Sequence, residues 1–393
     1  MRPIVKKTAD LIKEHHWEDD FDKAIKIAQS HNLYDFADLQ DWDDYYDYLK
    51  WINKLLHWAP SQDGDTRYVY ENIVKFYFIL DQKPVRRHQS PVKPGKKTKL
   101  TPLSKWIVKY ADAWGLYLDT PKSAKHVKTF KDDPVFHWDQ YMPPPSNFGS
   151  DEDYKAYRTF NQFFARHVKP GMRPIAGLRD NNVIVSPADC TFAGWWQIGN
   201  DEQSNIYVQG EKNGIIESKG IQWSIQELLQ DSDYADRFKG GIFCHMFLNS
   251  IDYHRWHTPV QGKVVEARVI QGQCYLDVNV TQKWVNGEKH NFLNALDGTG
   301  YQFVQTRGLI VIDSPIGLVA CMPMGMAQVS SVVITAQEGV TLQKGEELGY
   351  FQFGGSDWVI VFERASNVQL IARPNVHYNQ GSWIGNAYPY AMR

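Results

Sequence analysis

Nowhere in the 393 residues is there an apolar stretch approaching the roughly 18 residues of a membrane-spanning helix. The charged start Met1-Arg2-Pro3-Ile4-Val5-Lys6-Lys7 has no apolar run behind it, so no secretory signal is expected. Cysteine is scarce. Cys190, Cys244, Cys274 and Cys321 show neither paired nor metal-ligand spacing, which argues against a disulfide framework and against structural zinc. Reduced, buried thiols in a cytoplasmic protein are the expectation. Charge of one sign is also lacking: 43 basic and 45 acidic side chains leave a formal net charge of −2, so no global field draws the chain to nucleic acid. No repeat of about 20 to 50 residues is present, which excludes a solenoid.

What the sequence has is a change of pattern along its length. Residues 1 to about 140 carry apolar side chains at three- and four-residue steps, as in Ala9–Lys13, Phe21–Ile25 and Tyr70–Tyr77, and predict helices. Within them Asp41–Tyr48 reads as a solvated acidic face over core aromatics, and Trp51, Ile52, Leu55, Leu56 and Trp58 read as core. A basic run from Lys83 to Lys99, broken by prolines and a glycine, reads as an exposed loop that could meet an anionic surface. Met142-Pro143-Pro144-Pro145 opens a linker at 141–150. Beyond it, short β-branched and aromatic runs such as Gly308–Asp313 and Trp358–Phe362 predict strands, with a helix near Ile225–Leu229. The expected architecture is α+β: a mainly helical N-terminal domain at 1–140, then a β-rich domain at 151–393.

Three segments carry residues suited to chemistry. Gly354-Gly355-Ser356 is one, because a hydroxyl can attack the carbonyl before it where glycine permits a strained backbone. Taken alone, the tripeptide is far more often a loop. Ser186-Pro187-Ala188-Asp189 and Asp252-Tyr253-His254-Arg255-Trp256-His257-Thr258-Pro259 supply a carboxylate and two imidazoles. Whether these form a nucleophile, base and orienter depends on the fold. The bland alternative for each histidine is a hydrogen-bonded core side chain.

From about 155 to 365 the chain resembles the pyruvoyl-dependent phosphatidylserine decarboxylases and their amino-acid-decarboxylating relatives. The likeness rests on Phe163-Phe164-Ala165-Arg166 with Arg173-Pro174, Ser186–Asp189, Lys219-Gly220 with Trp223-Ser224-Ile225 and Leu228-Leu229, the Tyr253–Pro259 block and Gly354-Gly355-Ser356, in that order. The resemblance implies a proenzyme that cuts itself between Gly355 and Ser356. It also implies a protease-like triad in which His257 takes the Ser356 proton and Asp189 orients the imidazole. The ester so formed would eliminate, and hydrolysis would leave a covalent pyruvoyl group derived from Ser356. That carbonyl would form a Schiff base with a substrate amine and accept electrons as CO2 leaves. His254 is the expected proton donor, on the ground that imidazole titrates near the working pH. Asp357 departs from the threonine the family often has after the reactive serine, and a carboxylate there could alter processing or repel an acidic substrate group.

Trp58-Ala59-Pro60, Asp112–Leu118 and Phe247-Leu248-Asn249 further resemble the fungal tryptophan decarboxylases of this superfamily, which act on a free aromatic amino acid. A free L-amino acid, aromatic or otherwise hydrophobic, is therefore the expected substrate, with phosphatidylserine as the alternative. Peripheral membrane contact and a homodimer are compatible with the resemblance. Arg166 and Arg255 are candidates for a substrate carboxylate, although either could serve a structural ion pair. A processing-dead binding module is the third reading, suggested by carrier-like turns at Gly339-Val340 and Lys344-Gly345-Glu346.

Overall fold

The computed structural model describes residues 1–62, 68–92, 99–145, 150–200, 206–207, 224–295, 304–325, 331–353 and 356–390. The N-terminal region is helical, as the three- and four-residue spacing requires. Helix Pro3–Glu14 buries Val5, Thr8 and Ile12, and helix Glu18–Gln29 buries Phe21, Ala24, Ile25 and Ala28. Glu18, Asp19 and Asp20 in its first turn suit the positive end of the helix dipole. Asp44 caps helix Tyr45–Leu55 by accepting the Tyr46 N–H at 2.8 Å, which turns Tyr45, Tyr48 and Ile52 inward. Helix Pro102–Leu118 runs through the middle of this region. Its Tyr110 hydroxyl donates to the Ile52 carbonyl, and its Trp106 indole donates to that of Ile4.

The β-rich region centres on an antiparallel sheet. Its strands run in the order Thr341–Leu342, Gly262–Ile270, Arg307–Ser314, Gly317–Gly325, Ser356–Phe362, Ile242–Leu248, Cys190–Ile198 and Val376–Tyr378. Strand Ser356–Phe362 is buried at every residue because strands flank it on both edges and side chains cover both faces. Trp358, Ile360 and Phe362 join a core that continues without a break into the N-terminal helices. Val359 and Val361 join a second cluster on the opposite face, with Phe243, Leu309 and Met322. The expected helix is present as Ile225–Leu228, closed by a capping box between Ser224 and Glu227. All four cysteines are buried, and none is in a disulfide.

Two features depart from what the sequence suggested. Tyr141–Met142, placed at the start of a linker, pairs as a short strand with His167–Val168. Tyr141 is held there because the Arg166 guanidinium lies 4.1 Å above its ring. Of the basic run, residues 93–98 lie outside the described residues. Its first part is a short helix, Lys83–Arg86, followed by Arg87 and His88 on the carboxylate of Asp20. The hairpin Val278–Val285/Glu288–Ala295 had no sequence forecast. It turns at Asn286-Gly287, where both φ values are positive, and docks on the helices. There Tyr34 donates to the Asn291 carbonyl and Asp35 accepts from the Leu293 amide.

Candidate active site

Ser356 is the first residue of the central strand, paired with Leu248 on one side and Gly325 on the other. Its side chain is fully buried, and Oγ has no hydrogen-bond partner among the described residues. Gly354 and Gly355, the other half of the expected cleavage step, lie outside the described residues. A buried hydroxyl without a partner is unusual in a folded protein and marks a place where structure has yielded to something else. Strand Arg255–His257 packs against this strand, with the Trp256 and Trp358 rings 5.3 Å apart.

His257 is held from both sides of its ring. Nδ1 lies 2.9 Å from the Gly345 carbonyl and Nε2 lies 3.1 Å from the Tyr253 hydroxyl. A carbonyl can only accept, so Nδ1 carries the proton and Nε2 offers its lone pair, to which Tyr253 donates. Burial pushes the Tyr253 phenol up and keeps it a neutral donor. Burial also lowers the pKa of His257, although the Gly345 bond opposes this. Gly345 has φ +84°, and a Cβ there would lie 2.5 Å from Ile175, so the turn that presents this carbonyl needs glycine.

Asp189 does not hydrogen-bond to His257. Its carboxylate takes the Arg173 guanidinium through Nε at 2.8 Å and Nη2 at 2.5 Å, and the Gln380 amide at 2.8 Å. The tautomer-fixing contact expected of Asp189 is made by the Gly345 carbonyl. Asp189 still acts on His257 through its charge, and the His257 amide bonds the Pro187 carbonyl, so the two segments do adjoin. Among the described residues neither histidine hydrogen-bonds Ser356.

His254 is fully buried and stacks on Phe164 with ring centroids 3.9 Å apart. Neither ring nitrogen has a partner among the described residues. Burial, reinforced by the charge of Arg166, holds its pKa well below the ordinary value of 6.5. The premise that it titrates near neutral pH is therefore not met, and the ring is uncharged at pH 7. Arg166 and Arg255 are both engaged structurally. Arg166 donates to the Ile251 and Asp252 carbonyls, while Arg255 pairs with Glu347 at 2.8 Å and lies over Tyr350. Asp357 turns to the face opposite Ser356 and pairs with His245 at 3.0 Å, both side chains being buried. Its carboxylate therefore points away from the Ser356 side chain.

Two buried histidines with lowered pKa make stability depend on pH. Above 6.5 they are neutral in the folded and unfolded chain alike. Below it the unfolded chain binds protons that the folded chain refuses, so stability falls as pH drops through 6.5 toward the folded-state values. The limiting slope is about 1.4 kcal/mol per pH unit per histidine. A urea midpoint lower at pH 5.5 than at pH 7.5, with the difference reduced in His254→Phe, is the expected result.

A cavity of 810 Å³ lies beside the site. Its wall includes Met142, Pro144, Tyr157, Asn161, Arg255 and Gln352. Gln352 belongs to the segment that leads to Ser356, although Ser356, His254 and His257 are not on the wall. Sequence reasoning missed Tyr253, Gly345, Arg173 and Asn161. Tyr253 stood beside the quoted histidines, but a contact through Gly345, 88 residues away, leaves no local trace.

A sheet whose central strand opens on a buried serine with no hydrogen-bond partner among the described residues, with a histidine-bearing strand packed against it, belongs to an α+β protein. A family model for phosphatidylserine decarboxylase matches residues 160–386. The chain belongs to that family of carboxy-lyases, made as proenzymes whose pyruvoyl cofactor derives from a serine of the chain. It is 34% identical over 250 residues to phosphatidylserine decarboxylase proenzyme 3 of Schizosaccharomyces pombe, covering 63% of this chain and 22% of the relative. It is 29% identical over 277 residues to decarboxylase iboD of Amanita muscaria, covering 64% of this chain and 74% of the relative. A third relative, phosphatidylserine decarboxylase proenzyme 2 of Oryza sativa, is 28% identical over 341 residues, covering 80% and 48%. The chain thus spans less than half the length of two of these relatives.

Proposed function

We propose that this protein is a self-processing decarboxylase that cuts itself before Ser356 and converts a free L-amino acid with an aromatic or hydrophobic side chain to its amine and CO2. The observation that carries the reading is the Ser356 hydroxyl, buried, with no hydrogen-bond partner among the described residues, in the residue that follows two glycines in sequence. In the cutting step Nε2 of His257 takes the hydroxyl proton as Oγ bonds to the Gly355 carbonyl carbon, and returns it to the Ser356 nitrogen as the C–N bond breaks, leaving an ester and a free amine. Tyr253 would release Nε2 for that task, while Gly345 keeps the opposite nitrogen protonated. Residue 356 suits a pyruvoyl group, because its backbone is held by two strands and its side-chain site has no competing partner. Such a group supplies a carbonyl that takes the substrate amine and withdraws electrons as the carboxylate leaves. His254, uncharged, would give a proton from its N–H rather than as an imidazolium. The resemblance adds a homodimer in the cytoplasm.

The cavity supports a small substrate. Its volume falls in the range of about 300–1,000 Å³ typical for small-molecule sites, and its wall sets Met142, Ala165, three prolines and two tyrosines beside polar and charged side chains that include Asp119, Arg166 and Arg255. The second reading, phosphatidylserine as substrate, is favoured by the names of the Schizosaccharomyces and Oryza relatives. The test is the intact mass of fresh protein, followed by amine release from free amino acids and from phosphatidylserine vesicles. Two fragments split at 355/356, the smaller lighter than its serine form by one ammonia, with amine from free amino acids only, is the expected result. Product from vesicles only would replace the substrate assignment. An uncut, inactive chain would sink the reading and favour a binding module.

The pH dependence of cutting follows from the lowered His257 pKa. A base must be deprotonated, so the rate should stay level as pH falls through 6.5 and decline only below it. A decline centred above 6.5, in a time course from pH 5 to 8, would count against His257 as the base.

A further inference from the structure

The residue before the two glycines is gripped by Trp58, helix Pro102–Leu118 and the short helix Phe160–Phe164. Phe353 is 5% exposed and sits in a cage of rings. Ring centroids lie 5.1 Å away for Trp114, 5.3 Å for Phe160, 5.5 Å for Phe164 and 6.5 Å for Trp58, all edge-on. Its amide donates to Oδ1 of Asn161 at 3.2 Å. The Asn161 side-chain amide donates in turn to the Gly115 carbonyl and to Asp119, at the end of helix Pro102–Leu118. The Trp114 indole ties that helix to the Trp58 carbonyl at 3.2 Å.

We propose that Phe353 and Asn161 are positioning residues for self-cleavage, and that the N-terminal helices thereby form part of the processing apparatus. The inference rests on the self-cleavage reading. Attack by Oγ needs the carbonyl within about 3–3.5 Å and correctly aimed, and a misplacement of 1 Å can cost about a hundredfold in rate. Gly354 and Gly355 carry no side chain with which to hold themselves. The side chains that flank the bond are therefore those of Phe353 and Ser356. Downstream the anchor is Ser356 in the central strand, and upstream the nearest side chain is Phe353. That anchor is fastened to residues 58, 114, 115 and 119, outside the region that the family model matches. Two side chains thus connect the helical region to chemistry about 240 residues further along the chain. The grip also keeps the new chain end near the site once the bond is cut.

The test is the time course of splitting after cell-free synthesis, read by intact mass, for wild type, Phe353→Ala, Asn161→Ala and Phe353→Leu. Phe21→Leu, in the helical core away from the grip, serves as a stability control, and the folded fraction is followed by circular dichroism. Phe353→Ala should slow splitting about a hundredfold and Asn161→Ala about tenfold among folded molecules. Phe353→Leu should recover most of the rate, and Phe21→Leu should lower the unfolding temperature while splitting normally. Splitting of folded Phe353→Ala and Asn161→Ala at the wild-type rate would overturn the proposal while leaving self-cleavage intact. If Phe353→Ala does not fold, Asn161→Ala decides alone. A wild type that never splits would instead remove the underlying reading, and this inference with it.

Discussion

Ser356→Ala should leave a single uncut chain of 393 residues with no decarboxylation above background. The effect is total because the same side chain is needed twice: its Oγ breaks the peptide bond and departs in the Gly355 carboxylate, and its carbon skeleton then becomes the pyruvoyl group, whose keto oxygen comes from water. The substitution is also a clean one. Oγ is buried with no partner among the described residues, so its removal orphans no donor or acceptor and relieves a desolvation cost. The variant should therefore unfold at or slightly above the temperature of any uncut wild type. Intact mass, a melting curve and an amine assay check all three points. A variant that still splits at 355/356 would remove Ser356 from the chemistry.

His257→Gln should lower the splitting rate by about 10²–10⁴, the range for loss of a general base. Glutamine places its amide where Nε2 stood, and its oxygen can accept from the Tyr253 hydroxyl, so the fold should survive while the imidazole base is lost. Asp189→Asn provides the contrast. If Asp189 were chiefly the orienter of the histidine, that variant would resemble His257→Gln at unchanged stability. Its actual partners are Arg173 and the Gln380 amide. Neutralising the carboxylate leaves Arg173 without its counter-charge in a site where both side chains are at most 5% exposed, which costs about 3–5 kcal/mol. The expected result is a large loss of stability in Asp189→Asn, with splitting impaired only as far as folding is. Denaturant midpoints measured beside splitting rates separate the two cases.

These contacts show what could be read in the sequence and what could not. Helices such as Glu18–Gln29 and strands such as Ser356–Phe362 were legible because burial imposes a local period, or a continuous apolar run, on neighbouring residues. Residue types suited to the chemistry were legible in short blocks. Their pairing was not. Asp189 is as close to an ideal orienter in sequence terms as a carboxylate can be, yet Arg173, only 16 residues before it, takes the carboxylate. His254 and His257 sit three residues apart, but one is braced by a tyrosine and a carbonyl while the other is bare. Such differences come from which strands the sheet brings together, and no window of sequence contains that information. The docking of the Val278–Ala295 hairpin on the helices was hidden for the same reason.

The place of the Ser356 strand has a consequence for how such an enzyme can come into being. A chain end ordinarily lies at a protein's margin, where it can fray or be traded for another copy. Here the cut would create an end in the middle of a sheet, on a strand flanked by Gly317–Gly325 and Ile242–Leu248. The shorter fragment could not then leave without dismantling the sheet, nor enter one already closed. Two polypeptides made separately as 1–355 and 356–393 would have no ordered route to the mature form. On the self-cleavage reading, the two fragments would owe their pairing to one folding event completed before the cut.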